Sequence, residues 1–306
     1  MDISVILCTY NRCELLKKVL ESLVASRLPD HVQWEVIVVD NNSSDLTGRF
    51  AQDFCVQHCA HFRYILEPRQ GKSYALNAGI AEARGEILAF VDDDVTAEPH
   101  WLQNLTASLQ SGKCSGAGGR ILPERNFVPP QWYPTDKRLA SAPLALFDLG
   151  GEPGPLVVPP FGTNMAFRKE VFRRNGAFRV DLGPQPGSEI RGEDTEFGSR
   201  VLAAGEQLRY EPSAIVYHAI PEHRLQKQYF LTWWFDKGRA NIREMGIERE
   251  TRWSAAGIPF YFVRRLASWT LRWIFSLDPA VRFSSKLNVW LNAGHILECH
   301  SQPRES

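Results

Sequence analysis

Neither an excess of one charge sign, nor a cysteine framework, nor a long apolar run marks this 306-residue sequence. Lys and Arg number 35, and so do Asp and Glu. That balance excludes a nucleic-acid-binding protein carried by bulk positive charge, so no nucleic-acid partner is expected. Six irregularly spaced cysteines exclude a disulfide-stapled scaffold. Beyond residue 223, charge-free runs reach only eleven residues, as at Trp253–Val263, whereas a transmembrane helix needs about 20. Met1-Asp2-Ile3-Ser4 lacks the basic segment and apolar stretch of a secretory leader, so a reducing cytosol is the expected compartment. No sequence repeat is present. With 44% hydrophobic and 11% aromatic residues, the chain can fill the core of one large α/β domain with an appendage.

Charge is uneven along the chain. Residues 222–306 hold 13 Lys and Arg against 8 Asp and Glu, while residues 1–221 hold 22 against 27. Opposite balances point to two jobs. The first 120 residues alternate strand and helix patterns. Ile3–Cys8, Trp34–Val39, Phe62–Leu66 and Glu86–Val91 are short apolar, β-branched runs of the kind that both-face-covered parallel strands need. Between them, Leu15, Leu16, Val19, Leu20, Leu23 and Val24 form a helical stripe within 12–27. Further helices are expected over roughly 46–58, with Asp45 as its cap, over Ser73–Ala83 and near 98–110, and a further strand around 115–122. This alternation predicts right-handed crossovers and a mainly parallel sheet. Residues 123–161 interrupt it with Pro123, Pro129, Pro130, Pro134, Pro143, Pro153, Pro155, Pro159 and Pro160. Order returns at Phe161–Arg168, in a helix over 194–204 and in a last strand, Ala214–Tyr217. From about residue 223 the chain reads as helical, aromatic and basic. Such helices either lie at a membrane interface or form the core of an appendage, and both readings stay open.

Ligands of open parallel sheets sit beyond the carboxyl ends of the strands. Three such ends are polar: Thr9-Tyr10-Asn11-Arg12, Asp40-Asn41-Asn42-Ser43 and Asp92-Asp93-Asp94. A single Asp there can cap a helix. Three in a row repel one another unless a cation or proton intervenes, and their oxygens suit Mg²⁺ or Mn²⁺. Gly71-Lys72-Ser73 is no Walker loop, since Leu66 stands where its first glycine belongs, and Gly116-Ala117-Gly118-Gly119 lacks the last glycine of a dinucleotide fingerprint. Glu193-Asp194 opens a helix, where carboxylates either favour the helix N-terminus or serve as a general base. Taken alone, His218 reads as a structural histidine. Cys55, His58, Cys59 and His61 lack the second cysteine pair of a zinc site.

Six segments in order resemble the successive motifs of family 2 glycosyltransferases: VILCTYNR from Val5, VVDNNSSD from Val38, GKSYALNAG from Gly71, FVDDDV from Phe90, GTNMAFR from Gly162 and GEDTEF from Gly192. The resemblance covers roughly residues 3–218. It implies a GT-A fold, an open, mainly parallel sheet sandwiched by helices. Residues 1–222 would be the transferase domain, with a nucleotide-sugar half over 1–120 and an acceptor half over 121–222. Residues 223–306 would be a helical, aromatic and basic appendage. The resemblance further implies that Thr9, Tyr10, Asn11 and Asp40 hold the nucleotide, with Arg69 and Lys72 near the donor. Asp92 and Asp93 would belong to its acidic motif, and Asp94 with His218 would hold Mn²⁺ or Mg²⁺. Asp194 would be the catalytic base with Glu193 beside it, and Gly162 and Asn164 would lie near sugar and acceptor. Three consecutive Asp leave the register of the acidic motif open by one residue. Trp132, with Tyr133, is expected to flank the acceptor.

The processive members' Gln-x-x-Arg-Trp is absent, since Trp269 stands where its Gln would precede Arg272-Trp273. Single-sugar, inverting transfer is therefore expected, from a nucleotide-sugar donor, UDP foremost, to a sugar or lipid-linked hydroxyl acceptor of the cell envelope. The basic tail would meet the anionic inner face of the cytoplasmic membrane. Two rivals are a sugar nucleotidyltransferase, for whose triphosphate loop residues 8–13 offer only Arg12, and a catalytically silent binding module, which would have lost acidic positions that Asp40, Asp92, Asp94 and Asp194 still fill.

Overall fold

The computed structural model describes residues 1–185, 191–245, 254–255 and 258–301. Trp253 and the middle of the Gly183–Gly192 stretch lie outside the described residues. In chain order the elements are β1 (Ile3–Thr9), α1 (Cys13–Val24), β2 (Trp34–Asp40), α2 (Thr47–Gln57), β3 (Phe62–Leu66), α3 (Lys72–Glu82), β4 (Ile87–Asp92), β5 (Val95–Ala97), α4 (Trp101–Gln110), β6 (Gly116–Pro123) and α5 (Lys137–Ser141). There follow β7 (Gly154–Pro155), β8 (Asn164–Arg168), α6 (Lys169–Asn175), α7 (Glu193–Ala203), β9 (Leu208–His218), α8 (Lys227–Met245), β10 (Ser254–Ala255), β11 (Ile258–Pro259), α9 (Phe260–Phe275) and α10 (Pro279–Ser301). They fall into two compact units. The first comprises the described residues of 1–124, 145–187 and 193–219, and the second those of 125–144, 188–192 and 220–306.

In the first unit one sheet has the order β3-β2-β1-β4-β8-β6-β9-β5, with β7 paired to β9. Strands β1 to β4 run parallel, as do β6 and β9, whereas β8 lies antiparallel between β4 and β6. Period-2 alternation divides each strand between two cores. Val5, Leu7, Val36 and Val38 meet Leu16, Val19, Leu20 and Leu23 of α1 on one face. Ile6, Ile37, Val39 and Phe90 meet Ala75 of α3, Phe172 of α6 and Phe197 of α7 on the other. Burial of both faces is why these strands read as unbroken apolar runs.

Several expectations are corrected in extent. The last strand begins at Leu208 rather than Ala214, with Leu208, Tyr210, Ala214, Val216 and His218 buried, and Arg209 and Glu211 half-buried in its first half. The helix expected from residue 46 starts at Thr47, and Asp45 accepts the Thr47 amide without being the cap position itself. The proline-rich segment carries α5, β7 and a bridge from Ile121 to Phe147.

Asn164 fastens this sheet. Its oxygen accepts the Trp101 indole N–H at 2.8 Å, and its amide donates to the Arg120 and Ala214 carbonyls, each at 2.8 Å. Gly119 leaves room for that junction, because a Cβ there would lie 2.3 Å from the Ala214 carbonyl. An Asn164→Leu substitution strands one buried donor and two carbonyls. It is expected to lower unfolding free energy by about 3 kcal/mol, read from urea denaturation; an unchanged midpoint contradicts the role.

Candidate active site

The parallel register aligns three strand ends. Thr9 pairs across with Asp40, and Cys8 with Asp92, so the polar segments after β1, β2 and β4 emerge on one edge. The chain crosses from β2 and β3 on one side of β1 to β4 on the other, a topological switch point at which a crevice opens. His218 joins this edge because β5 pairs with β9 in a register that sets it opposite Val95.

The loops after β1 and β2 are stitched together. Asn11, at φ 52°, accepts the Ser44 amide at 2.8 Å, and its own amide donates to Ser43 Oγ at 3.0 Å. Asp40 is buried and accepts the Ser43 amide at 3.0 Å and the Tyr64 hydroxyl at 3.1 Å. Burial and the adjacent Asp40 carboxylate push the Tyr64 phenol up to about 12. Tyr10, by contrast, is 40% exposed. Asn41 ties β2 to the next loop by donating to the Glu67 and Arg69 carbonyls and accepting the Gly71 amide. Arg69 makes three hydrogen bonds to the Glu67 carboxylate, two from its guanidinium and one from its backbone amide, and lies over the Tyr74 ring.

Each of the three aspartates has its own surroundings. Asp92 accepts from Thr163 Oγ1 at 2.7 Å and pairs with Lys72 Nζ at 2.7 Å. Asp93 points inward, accepting from Thr9 Oγ1 at 2.7 Å and Arg12 at 2.8 Å. Asp94 accepts from Arg12 at 3.1 Å and lies 3.3 Å from His218 Nε2. Lys72 also reaches Glu193 at 3.5 Å, so Arg12 and Lys72 each serve two carboxylates. Burial acts to lower the Lys72 pKa, yet Asp92, Glu193 and Asp194 outweigh it and hold the ammonium charged. Burial raises the Glu193 carboxyl, with Lys72 opposing and Asp194 adding to the rise. Burial likewise pushes Asp93 up to about 6, against the pull of Arg12 and with help from Asp94.

Asp194 is aimed by two backbone donors, the Gly162 amide on Oδ2 and the Thr195 amide on Oδ1, both at 2.7 Å. The site edge thus brings together Thr9, Asp92, Asp93, Asp94, Lys72, Glu193 and His218, with Gly162 on Asp194. Asn164 is engaged in the sheet junction described above. Trp132 belongs to the second unit, its ring edge-on to Phe230 and Phe283. The sequence does not single out Arg12 and Thr163 as site residues; each lies in one of the six segments, whereas the aspartates they bond to lie in another, FVDDDV from Phe90.

No group of three or more His, Cys, Asp and Glu able to hold a metal occurs among the described residues. Asp94 and His218 nevertheless offer one carboxylate and one imidazole side by side. That donor pair is chemically compatible with a Mn²⁺ or Mg²⁺ ion, both of which accept carboxylate and imidazole donors.

Comparison with known proteins agrees with this geometry. Residues 4–176 match the model of the family described as "Glycosyl transferase family 2". Glucosyl-dolichyl phosphate glucuronosyltransferase of Haloferax volcanii is 27% identical over 246 residues, covering 76% of this chain and 75% of that one. Succinoglycan biosynthesis protein ExoM of Rhizobium meliloti is 27% identical over 247 residues, covering 79% and 75%. Among solved structures, the mannosyltransferase PcManGT of Pyrobaculum calidifontis, in complex with GDP-Man and Mn²⁺, superposes with a TM-score of 0.64 at 19% identity, over 97% of this chain and 86% of that one. The fold is of the GT-A type: a mixed, mostly parallel sheet between helices, followed by a helical region.

Asp93 generates a pH-dependence. A carboxyl raised from 3.8 to about 6 by folding contributes stability that is fully present below pH 3.8 and lost as the pH rises through about 6. Asp93→Asn is expected to flatten the decline of the urea midpoint over that window. An unchanged pH profile in the variant contradicts the assignment.

Proposed function

The chain belongs to glycosyl transferase family 2, and from that premise we propose that it moves one sugar from a nucleotide-sugar donor, UDP foremost, to a hydroxyl acceptor with inversion at the anomeric carbon. The observation that carries the proposal is the meeting of two acidic segments across Lys72, whose Nζ lies 2.7 Å from Asp92 and 3.5 Å from Glu193. A site that holds a leaving group beside a base needs this juxtaposition.

The residues divide the work. Thr9, Tyr10, Asn11 and Asp40 line the nucleotide's place, with Arg69 and Lys72 toward the donor and Asp92 and Asp93 closing its inner side. Asp94 and His218 would hold a Mn²⁺ or Mg²⁺ ion, which would supply charge neutralisation for the leaving diphosphate. Asp194 takes the acceptor's proton as the acceptor oxygen bonds to the anomeric carbon. The bond from that carbon to the diphosphate oxygen breaks, and nucleoside diphosphate departs with the electron pair. One displacement at one carbon gives inversion. Gly162 and Thr195 keep the Asp194 carboxylate oriented through their amides, and Glu193, neutralised in part by Lys72, limits the charge around it.

The acceptor we propose is a sugar or lipid-linked hydroxyl of cell-envelope polysaccharide or glycolipid synthesis. The names of two relatives, one acting on a dolichyl phosphate sugar and one in succinoglycan biosynthesis, support that class. No helix of the described residues is long and apolar enough to cross a membrane. The second unit would instead meet the anionic inner face of the cytoplasmic membrane peripherally, and six free thiols accord with a reducing compartment.

A panel of UDP-, GDP- and dTDP-sugars, incubated with Mn²⁺ or Mg²⁺ and assayed for released nucleoside diphosphate, is expected to show slow turnover of one donor. Asp194→Asn should reduce that turnover by about a thousandfold while donor affinity stays within about twofold. Loss of donor binding together with turnover would refute the base assignment.

A further inference from the structure

Helix α9 is apolar on two sides. Its inward side is satisfied within the second unit, where Phe262 packs with Ile242 and Cys299. Its outward side carries Phe260, Val263, Leu271, Ile274 and Phe275 at 59, 43, 57, 56 and 75% exposure. Their spacing places them on one stripe about a third of the helix circumference wide. Leu277, just beyond the helix, is 99% exposed. Contiguous exposed apolar side chains of this kind mark an interaction surface.

The charges on and beside the stripe, Arg264 within it and Arg265 and Arg272 along one flank, identify what covers it. Across its 16 residues α9 has Arg264, Arg265 and Arg272, all exposed, and no carboxylate. Arg272 lies over the Trp269 ring at 5.5 Å, and Lys286 of α10 lies over Trp273 at 5.2 Å and Trp290 at 5.1 Å. Tryptophan paired with cationic side chains beside an apolar stripe is the composition of a helix lying at headgroup depth. A second copy fits less well, because a two-fold contact through this face would set the same arginines against themselves. We infer that the outward face of α9 seats the protein on an anionic lipid surface, the stripe entering the acyl boundary and the arginines meeting lipid phosphates. This inference deepens the lipid-side reading proposed above and rests on it.

The test uses the full chain and two kinds of vesicle, phosphatidylcholine alone and phosphatidylcholine with phosphatidylglycerol, in co-sedimentation. Binding is expected only with phosphatidylglycerol and should weaken as salt rises. The double substitution Leu271→Glu with Ile274→Glu should lower binding about tenfold or more without shifting the thermal midpoint, since both side chains are exposed. A second variant, Arg264→Gln with Arg265→Gln and Arg272→Gln, should remove the phosphatidylglycerol dependence and leaves the apolar stripe intact. Binding indifferent to phosphatidylglycerol overturns the inference, as does binding unaffected by either variant. So does a dimer of the parent chain in sedimentation velocity that the glutamates dissociate. Nucleoside diphosphate release in vesicle-free solution is read alongside. Release without docking removes the α9 inference alone, whereas docking with no donor bound or turned over removes the transferase reading alone.

Discussion

The site depends on holding carboxylates close together against their mutual repulsion. Asp92, Asp93, Asp94, Glu193 and Asp194 converge on one sheet edge, where burial raises the Asp93 and Glu193 carboxyls. Arg12 and Lys72 each bridge two of them, and Thr9, Thr163 and the Gly162 and Thr195 amides supply the remaining fixed donors. The compensation is incomplete, and the raised Asp93 and Glu193 carboxyls are its signature. An edge under this tension favours further positive charge.

Rigidity of the edge comes from the sheet. Parallel pairing puts Thr9 level with Asp40 and Cys8 level with Asp92, and the β5–β9 register sets His218 opposite Val95, beside Asp94. Trp101 and the Asn164 amide lock β8 against β6 and β9. The transfer proposed above needs this stiffness, because misplacement of base or leaving group erodes the advantage of holding them together. The second unit has a different logic: its inner packing is ordinary, and its distinctive surface is a helix with too much apolar side chain outside.

Much of this was legible in the sequence, for physical reasons. Strands covered on both faces must be apolar throughout, so β1, β2 and β4 can be read directly, and the polar segments after them stand out by contrast. What escaped was whatever depends on non-local pairing. The first half of β9 alternates Leu208 and Tyr210 with Arg209 and Glu211, and that mixture conceals a strand in a linear reading. The three residues of β5 and the seven of α6 are too short for a period to emerge. Nothing local says that β8 inserts antiparallel between β4 and β6. Within the site, the acidic positions followed from their motifs, but Arg12 as the shared partner of Asp93 and Asp94 follows only from the folded edge. Nor does its motif announce that Asn164 bonds to Trp101 and to two carbonyls.

The central claim is that this anionic edge receives a diphosphate together with a divalent cation. Calorimetric titration of UDP, GDP and dTDP into the full chain, with Mn²⁺ and with EDTA, in the parent and in Asp94→Ala, tests it without need of an acceptor. The account predicts that one nucleotide binds, that Mn²⁺ tightens it by about tenfold or more, and that the alanine variant loses that gain while keeping the metal-independent part. Equal affinity with Mn²⁺ and with EDTA in the parent, or an undiminished Mn²⁺ effect in the variant, would contradict it.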